Sequence, residues 1–230
     1  MNVTQADLVC VEPQADFYRL LKENIARMPA VTANRVVTYQ AFVSRVSNEQ
    51  YSVHAHHGTG YKVKNVGGCT PVPSLSLPDL MKTLGKDLTD VVLIKVDTDG
   101  FDYECLLGCG EILSELHPFL YWENALDEAG TDEAYLGFTE LGSYLSHSGY
   151  QYFFVFDNFG NYLAEGDPRF YQDVNNYLNR LRLCRTHTTL YYVDVLACKK
   201  EDKAQVEAII AGYNNLCERI GAVGTTDFCK

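Results

Sequence analysis

The stretch VVLIKVDTDGFDYECLLGC (Val91–Cys109) changes character half-way. Val91, Val92, Leu93, Ile94 and Val96 form an apolar run broken only by Lys95, the pattern of a strand buried on both faces. Asp97, Asp99 and Asp102 then crowd around Gly100, and Glu104, Leu106 and Leu107 continue at helical spacing. A buried strand that ends in carboxylates and turns into a helix is the repeating unit of α/β sheets. In such sheets ligands collect at the carboxyl ends of the strands.

The same alternation extends in both directions. Asp7–Glu12 reads as a strand, and Pro13 opens a helix that carries Phe17, Leu20, Leu21, Ile25 and Met28 on one face. Arg35–Val43 reads as a second strand, and the period-two segments on either side of Gly58-Thr59-Gly60 read as a hairpin. Pro71–Gly85 runs from an extended segment into a short helix. A single helix is expected from Asp102 to about Leu116, then a strand at Pro118–Asn124 and a helix bearing Phe138, Leu141 and Leu145. Tyr150–Leu163 reads as a strand with a turn at Asn158–Asn161, Pro168 opens another helix, Leu190–Cys198 is a late strand, and Val206–Cys217 is a final amphipathic helix. The expectation is one α/β domain over residues 1–230, with a mainly parallel sheet and helices on both faces.

Composition narrows the function classes. Apolar residues make up 47%, too many for a disordered chain, and no apolar run reaches membrane-spanning length. A net charge of −11 argues against a nucleic-acid surface. The largest basic grouping, Arg180–Arg185, reads as one face of a helix. The eight cysteines include no CxxC pair, and several sit inside apolar runs, which suits reduced thiols in a cytoplasmic protein. The N-terminal residues lack the basic and apolar regions of a secretory signal.

The residues at the strand ends are Glu12, Ala41, Asp97, Asp99, Glu123 and Asn124. Glu12 has two readings: acceptor of hydrogen bonds from a ribose diol, or an acid favoured by a helix N-terminus. Asp99 and Asp102 are accounted for by the helix start alone, whereas Asp97 still belongs to the strand end. The DxD pattern is a weak signal for a glycosyltransferase metal site, and the later ligands of a calcium loop are missing. His54, His56 and His57 read as a solvent-facing hairpin edge rather than a metal site, and His147 as a surface or packing residue.

Together, VCVEPQADFYRLLKENI, TPVPSLSLPDLM with VLIKVDTDGFDYECLLGC, PFLYWEN and YVDVLACKKED resemble the FkbM-type methyltransferase family over most of the chain. Asp99 and Asp102 stand where that family usually has glutamates. The resemblance implies a class I, Rossmann-like fold and S-adenosylmethionine-dependent methylation, usually of an oxygen on a sugar, polyketide or related metabolite. By carry-over Glu12 would hold the cofactor ribose, Gln40 and Ala41 would lie near the adenine, and Asp97 would lie where cofactor and substrate meet. Asp97 and Glu123 are the candidates for removing the acceptor's proton. No metal is implied; the expected partner is a small-molecule or glycan acceptor.

The resemblance also implies a first, central strand with a glycine-rich turn. No residues before Asp7 supply it, and Gly58–Gly60 and Gly221–Gly224 follow the wrong elements. The chain is therefore expected to be N-terminally incomplete, to leave two ladder edges bare, to bind cofactor poorly by itself and to self-associate through the open edge. A non-catalytic interaction or scaffold protein on a truncated methyltransferase fold stays open beside the enzyme.

Overall fold

The computed structural model describes residues 7–56, 59–64, 72–98, 100–126, 132–184 and 190–224. They fall into two compact units: the chain up to Asp90 with Phe101–Ile112, and Val91–Gly100 with the chain from Leu113 onward.

The first unit begins with a parallel ladder of β1 (Leu8–Val11) and β2 (Val36–Tyr39), Leu8 opposite Val36 and Val11 opposite Tyr39. The crossover contains α1 (Ala15–Ala26) and the single turn α2 (Ala30–Ala33). No residue of α1 is buried, and Phe17, Leu20 and the following Met28 are each at least 40% exposed. The apolar stripe predicted there is real as a pattern but is largely uncovered. The strand expected over Arg35–Val43 breaks at Gln40–Ala41. Its end, β3 (Phe42–Val43), joins a second sheet with β4 (Gln50–His56), β5 (Thr59–Lys64) and β6 (Val72–Leu75), in the order β3-β6-β4-β5. The expected hairpin is β4–β5, with His56 opposite Thr59. Ser76 caps α3 (Leu77–Thr83), its hydroxyl accepting from the Asp79 N–H with Pro78 in the first turn.

The helix expected from Asp102 to Leu116 is two short ones, α4 (Asp102–Leu107) and α5 (Glu111–Glu115). Gly110 between them has φ +55°, a left-handed conformation that ends a helix. Within the first unit α4 is held against the segment that follows β3. The Cys105 thiol donates to the Val43 carbonyl at 3.0 Å, and a Cβ placed on Gly108 would lie 2.5 Å from the Ser44 carbonyl oxygen.

The second unit is a five-stranded sheet built from β7 (Leu93–Val96), β8 (Phe119–Ala125), β9 (Tyr152–Asp157), β10 (Tyr162–Gly166) and β11 (Tyr192–Cys198). Its helices are α6 (Glu133–His147), α7 (Pro168–Leu183) and α8 (Lys203–Gly224). The order is β10-β9-β11-β8-β7. Only β7–β8 is parallel; β8–β11, β11–β9 and β9–β10 are antiparallel. The mainly parallel sheet is thus corrected to a mixed one. The cause is local at one end: Asp157 Oδ1 accepts from the Phe159 and Asn161 N–H groups, both at 2.9 Å, and closes the β9–β10 hairpin with Gly160 at φ +81°. β11 then enters between β8 and β9, against the direction of both.

On one face of this sheet Trp122, Phe153 and Tyr171 form a buried aromatic group, with Phe153 and Tyr171 stacked at 5.0 Å. On the other, Phe154 and Cys198 pack with Val206 and Ile210 of α8. Among the described residues β1 pairs only with β2 and β7 only with β8. Val92 and Leu93 are more than half exposed, although their run reads as doubly buried. No helix of the described residues is long and apolar enough to cross a membrane.

Two glycines should respond in opposite directions. Gly108→Ala forces a methyl against the Ser44 and Arg45 backbone and is expected to cost about 1–3 kcal/mol. Gly212, exposed within α8 with nothing near its missing Cβ, is expected to gain about 0.5–1 kcal/mol as alanine. Chemical denaturation of the two variants checks both signs.

Candidate functional site

In the first unit the ladder continues one residue past β1, because the Glu12 N–H donates to the Tyr39 carbonyl at 3.2 Å. That places Glu12 beside Gln40 at the carboxyl end of two parallel strands. Glu12 Oε1 accepts from the Gln14 N–H at 2.7 Å. Burial pushes the Glu12 carboxyl above its ordinary range, and the Gln14 hydrogen bond works against that rise. Gln40 Nε2 donates to the Pro13 carbonyl at 3.2 Å, fixing the turn that carries Glu12, and Ala41 is fully buried. Three of the residues expected to hold a cofactor, Glu12, Gln40 and Ala41, are therefore neighbours. Asp97 belongs to the second unit.

There β7 and β8 run in register, Val96 beside Trp122, so Asp97 follows beside Glu123. Glu123 in turn stands opposite Asp194 on β11. Three carboxylates from adjacent strands share the sheet face opposite Trp122. Asp97 is exposed and accepts from Lys95 Nζ at 2.6 Å. Asp194 is half-buried, and the Tyr121 hydroxyl donates to its Oδ2 at 3.1 Å. Burial raises the Asp194 carboxyl, the Tyr121 hydrogen bond opposes the rise, and the nearby Asp97 charge adds to it. The Tyr121 phenol is likewise raised, by burial and by the Asp194 charge beside it.

The sequence reading paired Asp97 with Glu123 and missed Tyr121, Tyr192 and Asp194. The signal was present: Tyr121 and Glu123, like Tyr192 and Asp194, are two apart on strands and so share a face. Tyr192 is raised by burial and then by the Glu123 charge. Asn124, one residue along, points to the opposite face, fully buried, with neither amide atom hydrogen-bonded among the described residues. Asp102 begins α4, as expected, and is wholly buried in its first turn. His147 is exposed, its Nδ1 2.7 Å from the Ser143 carbonyl oxygen. Asp99, His57 and the side chains of His54 and His56 lie outside the described residues.

The model of the methyltransferase FkbM domain matches residues 5–152, more than half of the chain, and that span includes Glu12, Gln40, Ala41, Asp97 and Glu123. The chain belongs to the FkbM methyltransferase family. No curated protein and no solved structure matches it. The FkbM match ends before β11, so Asp194 and Tyr192 extend the acidic row from outside the matched span.

The raised Asp194 carboxyl has a thermodynamic consequence. Its proton is held more tightly in the folded state than in the unfolded one, so its stabilising share is complete below the unfolded pKa of about 4 and is lost as pH rises through the folded value. Asp194→Asn mimics the protonated group and keeps an oxygen for Tyr121. Its melting temperature is expected to exceed that of the wild type at pH 7, with the difference shrinking toward zero below pH ~4. A difference that grows on acidification contradicts the assignment.

Proposed function

We propose that the protein is an S-adenosylmethionine-dependent O-methyltransferase whose acceptor is a hydroxyl of a sugar, polyketide or related small metabolite. The Rossmann-like class I arrangement is part of this reading, supported by the parallel β1–β2 ladder with its helical crossover and by the parallel β7–β8 pair. The observation that carries the reading is Glu12: a half-buried carboxylate at the carboxyl end of a parallel ladder, one oxygen held by a backbone N–H and the other without a hydrogen-bond partner among the described residues. A ribose diol offers two donors to such a group, and the donor set therefore fits the cofactor. Gln40 and Ala41 would border the adenine, with the Gln40 amide already committed to holding the Glu12 turn.

The cofactor, when bound, supplies a methyl group already activated on sulfur. What remains for the chain is to position the acceptor and take its proton. Asp97 and Glu123 are assigned that proton. A carboxylate is a weak base toward an alcohol, so proton removal is expected late, as the new carbon–oxygen bond forms. Lys95 holds Asp97 from one side and leaves its other oxygen for the acceptor.

A non-catalytic binding role is the second reading, favoured by β1 and β7 each having a single ladder neighbour among the described residues. Titration calorimetry with S-adenosylmethionine separates the two. Glu12→Gln removes a charge-assisted hydrogen bond and is expected to weaken binding about 10–100-fold. Glu123→Gln is expected to lower kcat by about 100-fold or more at unchanged cofactor affinity. Unchanged affinity in the Glu12 variant sinks the cofactor assignment. Absence of both binding and methyl transfer, in the chain as given and in a version extended by the expected glycine-motif strand, leaves the binding role.

A further inference from the structure

Trp122, Asn124 and Asn175 are wholly buried. The Trp122 indole Nε1, both polar atoms of the Asn124 amide and Asn175 Oδ1 have no hydrogen-bond partner among the described residues. Buried polar atoms are paired almost without exception, because an unmet donor or acceptor forfeits its hydration. The fold brings these four atoms to one place. Trp122 and Asn124 are two apart on β8 and share a face. Tyr171 of α7 lies against Trp122, with ring centres 5.7 Å apart. Arg182, near the end of α7, pairs with Asp132, which follows β8, so helix and strand run the same way. Four residues of helix and two of strand each advance about 6–7 Å. Asn175 therefore comes level with Asn124, as Tyr171 is level with Trp122.

The Asn175 amide is not free to turn. The Thr139 hydroxyl donates to the Tyr135 carbonyl at 2.8 Å, so toward other groups it accepts. Asn175 Nδ2 donates to that hydroxyl at 3.1 Å and to the Tyr135 carbonyl at 3.2 Å. The nitrogen is thus held against α6, which fixes which end of the amide is the oxygen and turns Oδ1 away from α6. An indole N–H only donates, and the Asn124 amide offers one end of each kind. The unmet set is two nitrogens that donate and two oxygens that accept, all neutral. A neutral molecule that both donates and accepts, and is small enough for a closed interior, matches it, and water is that molecule. We propose an internal water-binding site between β8 and α7. At least one water there accepts from Trp122 Nε1 and Asn124 Nδ2 and donates to Asn175 Oδ1. It ties the strand that carries Glu123 to α7, and it does so whether or not the chain binds a cofactor.

Trp122 is the single tryptophan of the chain, so indole spectroscopy reads this site alone. Ultraviolet resonance Raman of the wild-type protein is expected to show a hydrogen-bonded indole N–H. Oxygen-17 relaxation dispersion of the solvent is expected to detect at least one long-lived internal water. Asn124→Leu fills the space with an apolar side chain of similar size. It is expected to shift the indole signal to the unbonded form and to remove at least one long-lived water. Should the leucine variant not fold, a high-resolution crystal structure of the wild type decides. A water within about 3 Å of Trp122 Nε1 and of the Asn124 amide supports the proposal. A direct bond from Asn124 to Trp122 or to Asn175 in its place overturns it. So does an unbonded indole in the wild type, a bonded indole with no long-lived water, or a water count that Asn124→Leu leaves unchanged.

Discussion

The parallel register of β7 against β8 governs what the second unit can do. Val96 stands beside Trp122, and this single alignment sends Lys95, Asp97, Tyr121 and Glu123 to one face and Trp122 with Asn124 to the other. A slip of one residue would exchange the faces, burying Glu123 in the aromatic group and exposing Trp122. The buried group of Trp122, set edge-on to the stacked Phe153 and Tyr171, makes that slip prohibitive. The hydrophobic face thus fixes the position of the acidic face, although no acidic residue contributes to it.

The acidic row is assembled against its own electrostatics. Asp194 is held half-buried next to Asp97 and Glu123, and its raised carboxyl registers the conflict. Tyr121 relieves part of it by donating a hydrogen bond. Local strain of this kind, held in place by a core that pays no attention to it, is characteristic of places where chemistry or recognition overrides stability.

Much of this was legible in the sequence. Each main strand, the β4–β5 hairpin, the turn after Asp157, and the helices opened by Pro13 and Pro168 follow from periodicity and from punctuation by proline and glycine. The strand-end carboxylates follow from knowing where strands stop. Three things did not follow. Strand direction is decided by which partner a strand finds, so the antiparallel entry of β11 between β8 and β9 left no mark in YYVDVLAC. The break between α4 and α5 depends on Gly108 lying against the Ser44 backbone and on the left-handed Gly110, whereas the apolar pattern runs through both. Burial is also a property of neighbours: Val92 and Leu93 carry the composition of a doubly buried strand yet are exposed, and among the described residues β7 has a ladder partner on one side only.

Glu12 and Asp97 occupy equivalent places, each the residue that closes a parallel strand, yet their surroundings differ in kind. Glu12 is half-buried, fixed by the Gln14 N–H, and carried on a turn that Gln40 ties down. Every rotation it could make breaks a hydrogen bond, so it suits a static acceptor whose partner arrives as donors. Asp97 is exposed and tethered by one flexible lysine. It can reorient at little cost, as a group that receives a proton during a reaction must. The same strand-end carboxylate becomes a binding group or a mobile one according to whether the backbone or a side chain holds it.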